Sequence, residues 1–193
     1  MSAPLILAST SAYRAALLRR ITDAFTQQAP DCDERALPAE SIPAQAARLA
    51  ATKAASVALQ HADALILGSD QLAALDHMAI GKPGDHANAR RQLRAVSERV
   101  LEFHTAWCLI DAANRQRWQG IDVTRVYFRA LGDDEIERYL DREPAFDCAG
   151  SAKSEALGIS LLSGLAGDDP TALVGLPLIA LAAMLRQEGA AVP

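Results

Sequence analysis

Two short apolar runs, each ending in a polar cluster, constrain this chain more than any other feature. Pro4-Leu5-Ile6-Leu7-Ala8 is followed by Ser9-Thr10-Ser11, and Ala64-Leu65-Ile66-Leu67-Gly68 by Ser69-Asp70-Gln71. Neither run alternates polar with apolar, and both are too short for a buried helix, so each reads as a strand covered on both faces. Between them, residues 13–21 carry Ala16, Leu17 and Ile21 at helical spacing. Residues 44–60 form a long alanine and leucine helix, with Leu49, Lys53 and Val57 repeating every four positions. Strand, helix, helix, strand in that order predicts an α/β protein.

The remainder adds more strands. Residues 72–75 and 79–80 read as a hairpin turning at Asp76-His77. A Gly81-Lys82-Pro83-Gly84 loop follows, and Asp85 is a good N-cap for a helix over 86–96. Two longer strands are expected at 100–110 and 121–128, joined by a polar turn at 111–117. A helix with acids in its first turn covers 133–142. Residues 148–158 read as loop, 159–162 as a strand and 178–187 as a final helix. Helices and strands alternate early and strands cluster later, so the sheet is expected to be mixed. No repeat or linker interrupts the chain, which is read as a single domain over 1–193.

Composition narrows the function. Of 193 residues, 50% are hydrophobic, many of them alanine, against four Phe, two Trp and three Tyr. That is enough apolar surface to exclude disorder. With 19 basic and 24 acidic residues the net charge is −5, which argues against a nucleic-acid polymer as partner, since such binding needs a broad basic surface. Cys32, Cys108 and Cys148 are far apart and form no CxxC, so free buried thiols in a reducing cytoplasm are expected. The start, MSAPLILAST, has no basic n-region, and the apolar stretch 172–185 is broken by Gly175 and Pro177. Neither a secretory signal nor a membrane span is expected.

Ligands of open α/β sheets sit beyond the carboxyl ends of strands. There the first run delivers Ser9, Ser11 and Arg14, a hydroxyl-rich turn that would cradle phosphate or simply cap a helix. The second delivers Asp70, a base, a metal ligand or a turn former. Lys53, on an otherwise buried helix face, either snorkels or meets an anion. Asp31, Asp33 and Glu34 form an acidic loop able to hold a divalent cation or nothing at all. Lys82 on its stiff loop reads, by itself, as a surface lysine. His61, His77, His86 and His104 have no zinc spacing, and no GxSxG, Walker A or GxGxxG occurs.

In order, LILASTSAYRAALL, APDCDE, RLAATKA, GSDQ, GKPGDHANARRQL, CAGSAKSEALGISL and VGLPL resemble the Maf family of nucleotide pyrophosphatases, over residues 5–185. The resemblance implies an elongated mixed sheet with flanking helices, two lobes around a cleft, as in inosine triphosphatase-like folds, and a homodimer. It implies hydrolysis of a nucleoside triphosphate between the α and β phosphates. Asp70 would be the catalytic acid/base, and Ser9, Ser11, Arg14, Lys53 and Lys82 would hold phosphate. Glu34 and Asp70 would bind Mg²⁺ or Mn²⁺. Tyr13, Gln71 and Glu155 occupy the positions that separate subgroups, and their combination resembles the subgroup acting on 7-methyl-GTP. An aromatic Tyr13 would face the cationic ring, and Glu155 would accept from the guanine N–H edge. The alternatives are a pyrophosphatase for UTP, dTTP or modified pyrimidine nucleotides, and a non-catalytic nucleotide-binding regulator of septum formation. Ala12, Glu98 and Thr171 depart from the family's usual proline, glycine and asparagine.

Overall fold

The computed structural model describes residues 3–190 and 192. In chain order the elements are β1 (Leu5–Ala8), α1 (Ala12–Leu18), β2 (Phe25–Gln28), α2 (Ile42–Ala58), β3 (Leu65–Leu75), β4 (Met78–Ile80) and α3 (His86–Val96). They continue with β5 (Val100–Asp111), β6 (Gln116–Phe128), α4 (Asp133–Arg142), β7 (Leu162–Ala166) and α5 (Leu178–Gln187). The described strands form one mixed sheet in the order β2-β1-β3-β5-β6-β7, with β4 hydrogen-bonded to β3. This is the α/β class that the sequence predicts.

The chain divides into two compact units. The first comprises Met1–Gln71, Thr105–Asp122 and Asp169–Pro193, and the second Leu72–His104 and Val123–Asp168. In the first, β1 runs parallel to both β2 and β3, pairing Leu5 with Phe25 and Leu65, and Ala8 with Gln28 and Gly68. Because strand side chains alternate, Leu5, Leu7, Leu65 and Leu67 point to one face. There they join Leu17 and Leu18 of α1, Trp107 and Leu109 of β5, and Leu181 and Leu185 of α5 in one buried cluster. The opposite face meets α2 at Gly68, where an added Cβ would stand 2.2 Å from the Ala50 carbonyl oxygen and 2.7 Å from the Ala54 nitrogen. Glycine at this point lets helix backbone lie directly on strand backbone.

In the second unit, β3 turns into β4 through Asp76 and His77, both at positive φ, as a two-residue hairpin turn of the expected kind demands. Asp85 caps α3, accepting from the Asn88 N–H at 2.7 Å, and α3 packs on α4. Leu93, Leu101, Ile136, Leu140 and Leu161 are fully buried there. Glu98 adopts φ 58° and gives its N–H to the Arg129 carbonyl, so the glycine-like turn exists despite the side chain.

Several expectations are corrected. β3 does not end at Gly68; it continues through Ser69-Asp70-Gln71 to Leu75, because those polar side chains find partners on α2, on β5 and in the turn at 172–175. Asp70 therefore lies within a strand, not at its end. Residues 157–161 form a 3₁₀ turn, and the strand expected at 159–162 starts only at Leu162. β2 was not expected, since Phe-Thr-Gln-Gln carries little apolar pattern. β6 begins at Gln116, inside the segment expected to be a turn. Cys32 and Cys148 are half-buried, and only Cys108 is fully enclosed.

Candidate active site

The centre of the first unit is a lysine held by two carboxylates. Lys53 sits on the α2 face that lies against β3, between Ala50 and Ala54, the two residues Gly68 approaches. Its Nζ is 2.6 Å from Asp70 Oδ1 and 3.1 Å from Glu34 Oε1. The Lys53 and Asp70 side chains are 7% and 9% exposed, whereas Glu34 is 58% exposed. Lys53 thus meets anions and does not snorkel. The acidic loop is divided: Asp33 pairs with Arg35, and Glu34 turns inward to Lys53.

The β1–α1 turn lies in the same unit. Ser9 is buried and its hydroxyl accepts the Ser11 N–H at 3.1 Å. Ser11 caps α1, accepting the Arg14 N–H. Helix α1 begins at Ala12, so alanine in place of proline does not prevent the start. Arg14 gives its Nε–H to the Gly175 carbonyl at 3.0 Å, which leaves both terminal amino groups of the guanidinium without a protein partner among the described residues. Burial pushes the Arg14 guanidinium below its usual value, opposed by the charges of Asp70 and Glu34. One cation and two carboxylates around this arginine make a site of mixed sign, suited to a charged ligand that brings a cation with it.

Ser69 and Thr105, to which sequence reasoning gave no role, complete the frame with Gln71 and Thr171. Ser69 donates to the same Gly175 carbonyl at 3.1 Å. Thr105, fully buried, donates to the Ala172 carbonyl at 3.0 Å. Gln71 Nε2 lies 2.9 Å from Thr105 Oγ1 and from the Ala172 carbonyl, and 3.0 Å from that of Leu173. Thr171, the departure from asparagine, binds Asp169 and the Leu176 carbonyl and accepts the Leu178 N–H, so threonine serves to seat α5. The signal for Ser69 was period two: it flanks Asp70 on the opposite face of β3.

Of the remaining predicted residues, Tyr13 is exposed on α1. Lys82 and Glu155 belong to the second unit. Lys82 is exposed and lines a recess of about 390 Å³ with Pro83, Asn88, Arg91 and Gln92. Glu155 is exposed on a loop braced at both ends: Tyr139 Oη accepts the Lys153 N–H, and Glu143 accepts the Gly158 N–H at 3.0 Å. No group of three or more His, Cys, Asp or Glu poised to hold a metal occurs among the described residues. Glu34 and Asp70 converge on one ammonium and supply hard oxygen donors. That set fits Mg²⁺ or Mn²⁺, which bind through one or two carboxylates with substrate phosphates completing the shell.

Residues 4–188 match a family described as Maf-like protein. The chain belongs to the Maf family. Among curated relatives of this Maf chain, a protein of Xanthomonas axonopodis pv. citri is 54% identical over 189 residues, covering 98% of each chain. One from Aromatoleum aromaticum is 56% identical over 190 residues, 98% of this chain and 97% of the relative. A third, from Cupriavidus pinatubonensis, is 52% identical over 185 residues, 96% and 93% respectively. All three bear the name 7-methyl-GTP pyrophosphatase. No helix among the described residues of this Maf chain is long and apolar enough to cross a membrane.

Proposed function

We propose that this Maf protein hydrolyses 7-methyl-GTP to 7-methyl-GMP and pyrophosphate. The observation that carries the reading is the Lys53 ammonium shared by Asp70 and Glu34 in the unit that also holds Arg14. The names of relatives more than half identical give it the substrate.

The incoming polyphosphate competes for Lys53. As the ammonium turns to phosphate oxygens, Asp70 gains a free oxygen facing the site. Arg14, anchored through Nε, presents its terminal N–H groups to the phosphates in the fork geometry that suits them. Asp70 takes the proton of a water as the water oxygen bonds to the α-phosphorus. The bond from that phosphorus to the bridging oxygen breaks, and pyrophosphate leaves with the bonding pair. Lys53 and Arg14 stabilise charge gathering on the phosphate oxygens. Glu34 and Asp70 would hold Mg²⁺ or Mn²⁺, whose contribution when bound is to neutralise phosphate charge. Ser9 and Ser11 keep the turn before α1 in shape.

Tyr13 offers an aromatic face to the cationic methylguanine ring, worth about 0.5–2 kcal/mol. Glu155, on its braced loop, accepts from guanine N1–H and N2–H₂, a pair that uracil and thymine lack. Lys82 is assigned to phosphate.

The test is a panel of 7-methyl-GTP, GTP, UTP and dTTP with Mg²⁺ or Mn²⁺, scoring pyrophosphate against orthophosphate. Pyrophosphate from 7-methyl-GTP is expected, with Asp70→Asn lowering kcat by about 10²–10⁴-fold. Glu155→Gln is expected to narrow the preference for 7-methyl-GTP over UTP. Wild-type activity in Asp70→Asn, or no turnover of any nucleotide, overturns the reading. The second outcome favours a nucleotide-binding regulator, and a preference for UTP or dTTP favours a pyrimidine enzyme.

A further inference from the structure

Within the second unit, one amide ties the loop of Lys82 to the loop of Glu155. Gln92, half-buried on α3, gives an Nε2–H to the Gly81 carbonyl at 2.9 Å and accepts the Ser151 hydroxyl on Oε1 at 2.8 Å. The Gly81 carbonyl can only accept, which turns the amide nitrogen to it and the oxygen to Ser151. Gly81 precedes Lys82, and Gln92 and Lys82 line the same recess. Ser151 lies on the loop that carries Glu155. It is fully buried and holds φ 56°, a left-handed conformation uncommon outside glycine. Its neighbour Gly150 has no room for a side chain, since a Cβ there would stand 2.5 Å from Leu101 Cδ2. Beside the amide, the Gly84 N–H donates to the Phe146 carbonyl at 3.0 Å, so the two loops lie backbone to backbone.

We propose that Gln92 is a positioning residue for Lys82 and Glu155: its nitrogen holds the loop of the phosphate lysine, and its oxygen holds the loop of the base-reading carboxylate. The proposal rests on the reading of Lys82 and Glu155 as substrate ligands. It adds to them a residue that acts only through the two loops. The ends of the amide serve different parts of the substrate. The Gly81 end concerns the triphosphate, which every nucleotide carries. The Ser151 end concerns the base, which distinguishes one nucleotide from another.

Two measurements test it. In the first, hydrogen exchange of the full chain is followed at the backbone N–H groups of Gly84 and Ser151. Gln92→Leu, which removes both bonds, is expected to speed exchange at both positions, with the α4 amides as an unchanged reference. In the second, the ends are cut separately and kinetics are measured with 7-methyl-GTP and UTP. Gln92→Glu, ionised at neutral pH, still accepts from Ser151 but sets a carboxylate oxygen against the Gly81 carbonyl. It is expected to raise KM for both nucleotides about 10-fold with their ratio kept. Ser151→Ala keeps the Gly81 bond, and is expected to lower kcat/KM for 7-methyl-GTP about 10-fold while leaving that for UTP unchanged. In a Glu155→Gln background, Ser151→Ala is expected to add less than about 2-fold, because the charge it positions is gone. A general loss of stability would instead lower both backgrounds equally. Wild-type exchange at Gly84 and Ser151 in Gln92→Leu overturns the proposal. So does a changed nucleotide ratio in Gln92→Glu, or an undiminished effect of Ser151→Ala in the Glu155→Gln background. If Gln92→Leu fails to fold, exchange and kinetics of the two single-end variants decide. A wild type that turns over no nucleotide defeats the pyrophosphatase reading, while exchange still judges the bridge.

Discussion

Lys53 answers two demands with one ammonium: it neutralises buried Asp70, and it is the charge that an incoming phosphate would claim. Its place on the apolar face of an alanine-rich helix is legible from four-residue spacing. Its partner is not, because Asp70 is 17 positions away and only the packing of α2 on β3 joins them. A buried ion pair that loses one member leaves an uncompensated charge, at a cost of about 3–5 kcal/mol. Lys53→Met is therefore expected to lower unfolding free energy by about that amount. The double variant Lys53→Met/Asp70→Asn is expected to recover part of the loss, as measured by urea denaturation. A double variant less stable than the sum of the singles would refute the pairing as the cause. Arg14 makes the complementary case. The family resemblance assigns it to phosphate, yet its anchor at Gly175 is 161 residues distant and no local pattern signals it.

At the scale of elements, the helices of the second unit and the last helix were legible to their ends. Asp85 caps α3, Asp133, Asp134 and Glu135 fill the first turn of α4, and Pro177 precedes α5. Those boundaries are written in local chemistry. The reach of β3 was not, since Ser69-Asp70-Gln71 looks like a turn until its tertiary partners are known. β2 is likewise held by pairing with β1 more than by its own pattern. Gly68 is where two elements meet most closely. Gly68→Ala would set a Cβ 2.9 Å from the Ala54 Cβ and closer still to α2 backbone, so α2 must shift. A loss of about 1–3 kcal/mol in stability is expected from such overpacking. A fall in kcat/KM should accompany it, because the shifted helix carries Lys53. Thermal unfolding and nucleotide turnover measured on the same sample check both; full activity would show that the close approach is dispensable.

At the scale of the whole molecule, the net charge of −5 argues against a polyanion as a broad partner while saying nothing of the cations at any one place. Arg14 and Lys53, both in the first unit, are cations it concealed. The overall charge also frames acid stability. The backbone N–H of Asn114, with further bonds from its side chain and Ala113, holds the Asp111 carboxyl below its ordinary value. Hydrogen bonds from Arg94, Arg129 and Arg48 do the same for Asp133, Glu135 and Glu40. Folded values below unfolded ones mean that this stability is complete above the ordinary carboxylate range. It is lost as pH falls through the folded values. His104, lowered by burial, adds an earlier decline as pH falls below about 6.5, the value it regains on unfolding. The melting temperature is thus expected to slip below about pH 6.5 and fall steeply below about pH 4. Asp111→Asn, which keeps one oxygen acceptor for the Ala113 and Asn114 N–H groups but no titrating group, should shallow the steep part. A melting temperature flat down to about pH 3 would contradict the assignment.

The first unit is assembled from three stretches of chain, the last beginning at Asp169. During synthesis the ribosome releases Asp70 and Lys53 early, and domains fold as their segments emerge. Gly175, whose carbonyl accepts from both Arg14 and Ser69, emerges 106 positions after Ser69. A nascent chain or a prematurely terminated product holds the acid and the lysine but not the anchor for the arginine. The setting of the arginine is therefore complete only once the turn at 172–175 has been made.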